Sequence, residues 1–354
     1  MRGDSSSAED KPCGNSQEDI VAHLPHKVVL IDYDPALFAP VGTEAETLAR
    51  AGASWETYQL RDPESVLEVA KDADVIIVQS VRPLLTREII SQLTRARCLI
   101  RAGAGYDSID YQAATEYGMM VCNTPTYCTD DVADHAIALM LSCLRYVARL
   151  DAAMRRGEYA RHLAKPTRRM TGSTLGIIGL GRIGSTVARR VKGWDMTVLA
   201  YDPYVSQEKA DAWGVQMVSL EELLVRVEFL TIHCLLNDET HHLLSRQEFA
   251  AIQPGLVLVN TARGPIVDEA ALVEALQDGR VWAAGLDVTE QEPLAADSPL
   301  LKMDNVILTP HIAANSPEAR VDLYRLMCEI STDVVNGRVP PFVVNPEVLD
   351  HLKG

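Results

Sequence analysis

Residues 175–184 read LGIIGLGRIG, and this stretch decides the fold. An apolar run, Leu175–Ile178, enters a G-x-G-x-x-G spacing at Gly179, Gly181 and Gly184, and a helical pattern, Ile183–Lys192, leaves it. Three glycines in six residues also occur in plain turns. A strand before them and a helix after them make the spacing a dinucleotide fingerprint. Gly179 permits the tight turn, and Gly181 lets backbone N–H groups approach a pyrophosphate. Gly184 allows close helix–strand packing, with the helix N-terminus facing the anion. The next apolar run, VLAYD, ends in Asp202. A carboxylate there accepts hydrogen bonds from a ribose 2′-hydroxyl and repels a 2′-phosphate, which selects NAD over NADP.

On the C-terminal side of the fingerprint, short β-rich runs keep alternating with helical ones. Leu175–Ile178, Thr197–Tyr201, Phe229–Cys234, Leu256–Asn260, Ala283–Val288 and Val306–Thr309 read as strands, a set that fits a doubly wound dinucleotide fold. On the N-terminal side, Val28–Ile31, Val75–Val78, Cys98–Ile100 and Met119–Cys122 alternate with helical stretches at Glu44–Ala51, Glu64–Ala70 and Thr86–Leu93. That spacing argues for a second parallel sheet with crossover helices. Between the two series, Thr129 is a candidate N-cap, and Val132 to Arg156 contains no Gly or Pro, which predicts one long helix stopping at Gly157. The exposed, basic HLAKPTRRM segment follows it. A last helix is predicted at Pro317–Asn336, with a Pro-rich end that packs back onto the first series. Residues 1–25, rich in Ser, Glu and Asp, read as a mobile arm.

The chain has 354 residues, 33 basic against 49 acidic, and a formal charge of −16. With no dense basic stretch, neither a nucleic-acid binder nor a protein docking on anionic lipid is expected. Seven cysteines form an odd set without a C-x-x-C pair. Cys98, Cys122, Cys143 and Cys234 sit in apolar runs and read as buried thiols of a reducing compartment. The N-terminus lacks the apolar core of a secretory signal, and no run is long enough for a membrane helix. A cytoplasmic protein is expected.

Three polar positions fall at the ends of late strands, the edge where open α/β sheets place ligands: Arg263 after LVLVNTA, Asp287 in AAGLDV with Glu292 beyond it, and His311 after VILTP. A guanidinium grips a carboxylate at two points and polarises a neighbouring carbonyl. A His held by a carboxylate donates and accepts protons near neutrality. Singly, Arg263 reads equally as a helix cap, Glu292 as a solvated loop acid and His311 as a core histidine. Downstream of a dinucleotide fingerprint, the three together read as a catalytic set. His241 and His242 are adjacent and read as a solvated pair. Asp130 and Asp131 suit a helix start, and His135 reads as packing on the long helix. No metal is expected.

In order, GLGRIG with YDP, NTARGPIVDEAAL, GLDVTEQEPL and LTPHIA resemble the D-isomer-specific 2-hydroxyacid dehydrogenase family over about Lys27 to Val344. Within it, GSTLGIIGLGRIG, AYDPY and VADHAIALML are similar to the branch containing the C-terminal-binding-protein corepressors. The resemblance implies an α/β fold in which a Rossmann NAD-binding domain (124–310) is inserted in a flavodoxin-like substrate domain made from both chain ends (26–123 and 311–350). It puts the active site in the cleft between them and implies a homodimer through the NAD domains, the long helix lying near the two-fold. By position, Arg263 matches the carboxylate anchor, His311 the catalytic histidine and Glu292 its paired acid, while Asp287 matches the residue holding the nicotinamide amide. Gly179, Gly181, Arg182, Ile183, Gly184 and Asp202 match the cofactor loop. Cys234, Leu235 and Thr240 match the loop beside adenosine and nicotinamide ribose, and Thr261 and Ala262 join Arg263 and His311 at the cofactor. RAGAGYDSID resembles the substrate loop, with backbone N–H groups at Gly103, Ala104 and Gly105 and a candidate second anion contact at Arg101. Leu235 stands where many relatives have Pro, and Thr126 where they have Gly. The implied activity is NAD-dependent interconversion of a small 2-oxo acid and a D-2-hydroxy acid. The alternatives are a dinucleotide-sensing corepressor and a dehydrogenase of a phosphorylated or phosphonate substrate.

Overall fold

The computed structural model describes residues 24–164 and 168–351. The expected arm, but for Leu24 and Pro25, lies outside them, as do residues 165–167 of the basic segment. The chain divides into two compact units, residues 1–124 with 324–354, and residues 125–323.

The first unit is built on a parallel sheet of β1 (His26–Asp32), β2 (Ala53–Thr57), β3 (Val75–Val78), β4 (Cys98–Arg101) and β5 (Met120–Asn123), in the order β2-β1-β3-β4-β5. This is the flavodoxin-like order. The middle strand β3 is apolar at every position because helices cover both faces; all four residues of its VIIV are buried. The helix Pro63–Ala70 starts where Asp62 accepts a bond from the Ser65 amide and Pro63 occupies the first turn, which needs no amide there. The sequence reading omitted β2, an edge strand whose residues ASWET bury one position fully and so carry little apolar pattern. The end of the chain closes the other edge. Val343 bridges Cys122, and the Asn345 side chain accepts from the Val121 amide and donates to the Met119 carbonyl.

The second unit carries a seven-stranded parallel sheet: β6 (Thr174–Ile178), β7 (Thr197–Tyr201), β8 (Gln216–Met217), β9 (Phe229–Ile232), β10 (Leu256–Asn260), β11 (Val281–Leu286) and β12 (Val306–Leu308). Their order is β12-β11-β10-β9-β6-β7-β8, so the winding reverses between β6 and β9, where such folds open a ligand crevice. The two-residue β8 was too short to read from the sequence. The long helix is two helices, Thr129–Arg145 and Val147–Arg155, with Cys128 and not Thr129 as the N-cap. The break is Tyr146, left-handed at φ 57°, whose ring meets Trp282 edge-on at 5.2 Å. Asp130 does more than favour a helix start, and Asp134 joins it. Both pair with Arg190 of the helix Arg182–Val191, at 2.9 and 2.8 Å.

The boundary between units falls at 323/324, beyond the expected 310/311. Residues after His311 stay with the second unit because the amides of Ile312 and Ala313 bond the Asp287 carboxylate and Ala313 and Ala319 pack on Cys128 and Val132. Cys98, Cys122 and Cys143 are buried as expected, whereas Cys234 is half-buried. No described helix is long and apolar enough to cross a membrane.

In the first unit, Asp74 is a buried acid, its side chain 6% exposed, that accepts from the Lys27 amide (2.9 Å), His26 Nδ1 (3.1 Å) and Arg95 Nη2 (2.9 Å). Burial works against its charge, but these bonds hold the carboxyl below its usual range. A lowered folded value contributes stability above the unfolded value of about 3.9, and that stability is lost as pH falls through the folded value. Asp74→Ala should therefore cost about 2–3 kcal/mol at pH 7 in denaturant unfolding. The gap to wild type should close below about pH 4; a gap unchanged at acid pH would mean that the charge is not what stabilises.

Candidate active site

In the second unit, every residue expected at the cofactor lies at or just beyond the C-terminal end of a strand. After β6, Gly179 takes φ +88°, and a Cβ there would strike the backbone of Cys234. A Cβ on Gly184 would collide with the Gly179 carbonyl, whereas around Gly181 the space is open. Gly181 is the N-cap of Arg182–Val191 and leaves the first amides of that helix for an anion. Asp202, after β7, receives the Leu180 amide at 2.8 Å on one oxygen and the Tyr204 amide at 2.9 Å on the other, which ties it to the glycine turn.

These elements line a cavity of about 240 Å³ with Cys234, Leu235 and Thr240. Thr240 closes the loop: its hydroxyl donates to the Leu235 carbonyl at 2.6 Å. Leu235 is exposed. Burial pushes the Cys234 thiol up to about 12, so it stays protonated, and pushes His233 down to about 3, so its ring is neutral. Two lining residues were missed in the sequence. Glu239 accepts from the Tyr204 hydroxyl at 3.0 Å, adding a second carboxylate beside Asp202. His233 Nδ1 is buried with no hydrogen-bond partner among the described residues, as is Thr261 Oγ1 after β10. A cradle without side-chain bulk, helix amides, orphaned polar atoms and acids in place of bases together fit a dinucleotide with a free 2′-hydroxyl.

Arg263 follows β10 in extended backbone, φ −145°, and makes no side-chain cap bond to the short turn Gly264–Ile266, which answers the helix-cap alternative. Asn260 fixes its loop by donating to the Arg263 carbonyl (2.9 Å) and accepting from the Ala262 amide (3.0 Å). Gly264 lies so close to the Thr289 carbonyl that a Cβ would not fit. The arginine loop is thereby packed on the loop that carries Glu292. Glu292 meets His311 Nδ1 at 2.8 Å, with side chains 26% and 33% exposed. The pair commits Nδ1 to the carboxylate and leaves Nε2 for proton exchange. His311 is left-handed at φ +54°, a conformation costing about 1–2 kcal/mol that something must hold.

Asp287 supplies the hold. Its side chain is 1% exposed, and its carbonyl accepts the His311 amide. Its carboxylate accepts Thr309 Oγ1, the Ile312 amide and the Ala313 amide. His135 belongs to this cluster, 3.0 Å from Thr309 Oγ1 and 3.5 Å from Asp287; packing alone had been expected of it. His241 and His242 stack at 4.1 Å, which their adjacency disfavours until His242 turns left-handed and bonds Glu290 at 2.6 Å. In the first unit, Arg101 ends β4, buried, with its guanidinium folded over Gly103, where a Cβ would clash with it. Ala104 gives its carbonyl to Asn123 at 2.6 Å. The substrate-loop residues Arg101, Gly103, Ala104 and Gly105 thus belong to a different unit from Arg263, Glu292 and His311.

Residues 137–313 match the family model described as the D-isomer specific 2-hydroxyacid dehydrogenase, NAD binding domain. A D-3-phosphoglycerate dehydrogenase of Methanocaldococcus jannaschii is 41% identical over 283 residues, covering 80% of this chain and 53% of the relative. A glyoxylate reductase of Korarchaeum cryptofilum is 37% identical over 298 residues, covering 83% and 90%. Among solved structures, a glyoxylate reductase from Paecilomyes thermophila superposes with a TM-score of 0.81 at 31% identity, covering 90% of this chain and 98% of that one. The chain spans about half the length of the phosphoglycerate dehydrogenases it matches. From the nucleotide cradle after β6 to the histidine–carboxylate pair after β12, the chain belongs to the D-isomer-specific 2-hydroxyacid dehydrogenase family.

Proposed function

We propose that the protein interconverts a small 2-oxo acid and a D-2-hydroxy acid with NAD. The observation that carries this reading is the His311–Glu292 pair, held at 2.8 Å and presented by a left-handed turn in the unit that bears the nucleotide cradle. Bound NAD supplies the hydride acceptor, and NADH the donor, at nicotinamide C4. Arg263 holds the substrate carboxylate and polarises the carbonyl. His311 Nε2 protonates the nascent alkoxide in reduction and takes the proton back in oxidation. Glu292 orients the ring and balances the imidazolium. The second unit takes the cofactor. A homodimer joined through the NAD-binding units and a cytoplasmic setting belong to the same proposal. A phosphorylated substrate is the second reading. Arg101, folded over Gly103 in the substrate loop, and the phosphoglycerate dehydrogenases among the relatives favour it. A screen of 2-oxo acids, with and without a phosphoryl group, followed by NADH absorbance decides between the two.

The carboxylates of Asp202 and Glu239 meet a 2′-phosphate with like charge, so kcat/KM for NADH should exceed that for NADPH by about two orders of magnitude. Asp202→Ala should narrow the ratio, and equal use of both cofactors by wild type would remove the assignment. Arg263→Lys keeps the charge but loses the planar grip. It should cost on the order of 10²-fold in kcat/KM for the oxo acid while fluorescence titration with NADH changes little. Turnover near wild type would make Arg263 structural.

His311→Ala should lower turnover by about 10²–10⁴-fold with the melting temperature retained. Reduction needs the imidazolium and oxidation the neutral ring, so the two directions should have opposite pH limbs. Glu292→Gln, which removes the negative neighbour, should move both limbs toward acid. Limbs that superpose on those of wild type would exclude Glu292 from the mechanism.

A further inference from the structure

The hydroxyl of Thr309 lies 2.5 Å from Asp287 Oδ1 and 3.0 Å from His135 Nε2. Its single proton goes to the carboxylate, which has none to give, so the hydroxyl oxygen accepts from His135 and Nε2 carries a hydrogen. The chain of bonds runs in one direction, from His135 through Thr309 to Asp287. Asp287 in turn receives the amides of Ile312 and Ala313 on its carboxylate, at 3.0 and 2.8 Å, and that of His311 on its carbonyl, at 2.8 Å. Three successive amides, including that of the left-handed His311, therefore close on one buried residue.

We propose that His135 is a positioning residue for the reaction: through Thr309 and Asp287 it fixes the left-handed turn that presents His311 to Glu292 and to substrate. This rests on the reading of His311 as the acid–base residue. His135 is more than a hundred residues from that turn in sequence and comes to it on the helix Thr129–Arg145. Among the described residues, it is the titratable side chain bonded to Asp287 from another element. β10 presents the Asn260 carbonyl to the Asp287 amide, and the end of β12 presents Thr309. His311 meets Asp287 through main chain only, its ring being turned to Glu292. Burial opposes the charge on Asp287, and the bonds from His135, Thr309 and the two amides keep the carboxyl below its ordinary range. With His135 removed, Thr309 loses the donor that commits its hydrogen to Asp287, the buried acid takes up a proton at higher pH, and a protonated Asp287 grips the amides poorly. A misplacement of this kind at an acid–base residue costs on the order of 10–10²-fold in rate.

The test compares His135→Phe, which has no donor, with His135→Gln, whose amide can restore one. Reduction of glyoxylate by NADH is followed against pH, and the environment of the His311 ring is followed by NMR of the protein without cofactor. His135→Phe should lose about 10–10²-fold in kcat with the KM for NADH within about threefold, and its reduction rate should turn down toward acid at a higher pH than that of wild type. His135→Gln should regain most of the rate and the wild-type profile. In the NMR arm, the His311 ring resonances of His135→Phe should move away from those of wild type, and those of His135→Gln should coincide with them. A His135→Phe profile parallel to wild type, or equal damage in both variants, would overturn the proposal. If wild type turns over no 2-oxo acid, the catalytic reading of His311 falls, and the NMR comparison alone still decides whether His135 holds the turn.

Discussion

A parallel sheet covered by helices on both faces has no free surface for chemistry except the edge where its strands end. Both sheets here are of that kind: β3 and β10 are buried along their whole length. Six strands of the second unit each hand over to a loop at one edge, and each loop carries a member of the site: the glycine turn, Asp202, Cys234, Arg263, Asp287 and His311. Glycine is required where two loops must touch, at Gly179 against Cys234 and at Gly264 against Thr289.

Because the loops are held by the sheet, the strain in the site is local and has an identifiable counterweight. A histidine with positive φ is unfavourable alone, and a buried carboxylate is unfavourable alone. At the end of β11 each offsets the other: the left-handed turn directs successive amides inward, and those amides are what the buried carboxylate requires. Asn260 performs a neutral version of the same task for the Arg263 loop, one amide side chain bonding the Ala262 amide and the Arg263 carbonyl.

The cofactor cradle was legible in the sequence because its physics is local: a turn, an N-cap and a strand-end acid within thirty residues. The strand ends marking Arg263, Asp287 and His311 were legible as well, through apolar runs that stop abruptly. Less local features were hidden. Tyr146 breaks a helix that has no Gly or Pro to announce the break, and the ring it meets there, Trp282, is distant in sequence. β2 is half-exposed and lacks an apolar run. His135 carried no signal beyond its place in a helical pattern, since its partners are the side chains of Thr309 and Asp287. Asp74, like His135, is defined by what it bonds and not by its neighbours in sequence.

The way the C-terminal segment completes the first unit has a consequence for synthesis. The second unit is one uninterrupted stretch and can close its sheet while the chain is still being made. The first begins earlier but ends later: the outer edge of β5 has no partner until Val343, Val344 and Asn345 have left the ribosome. During translation of the second unit, β5 stands as an open strand edge, the kind of surface that recruits foreign strands. Its four residues, MVCN, are few, and short length is itself a protection while the last segment is awaited.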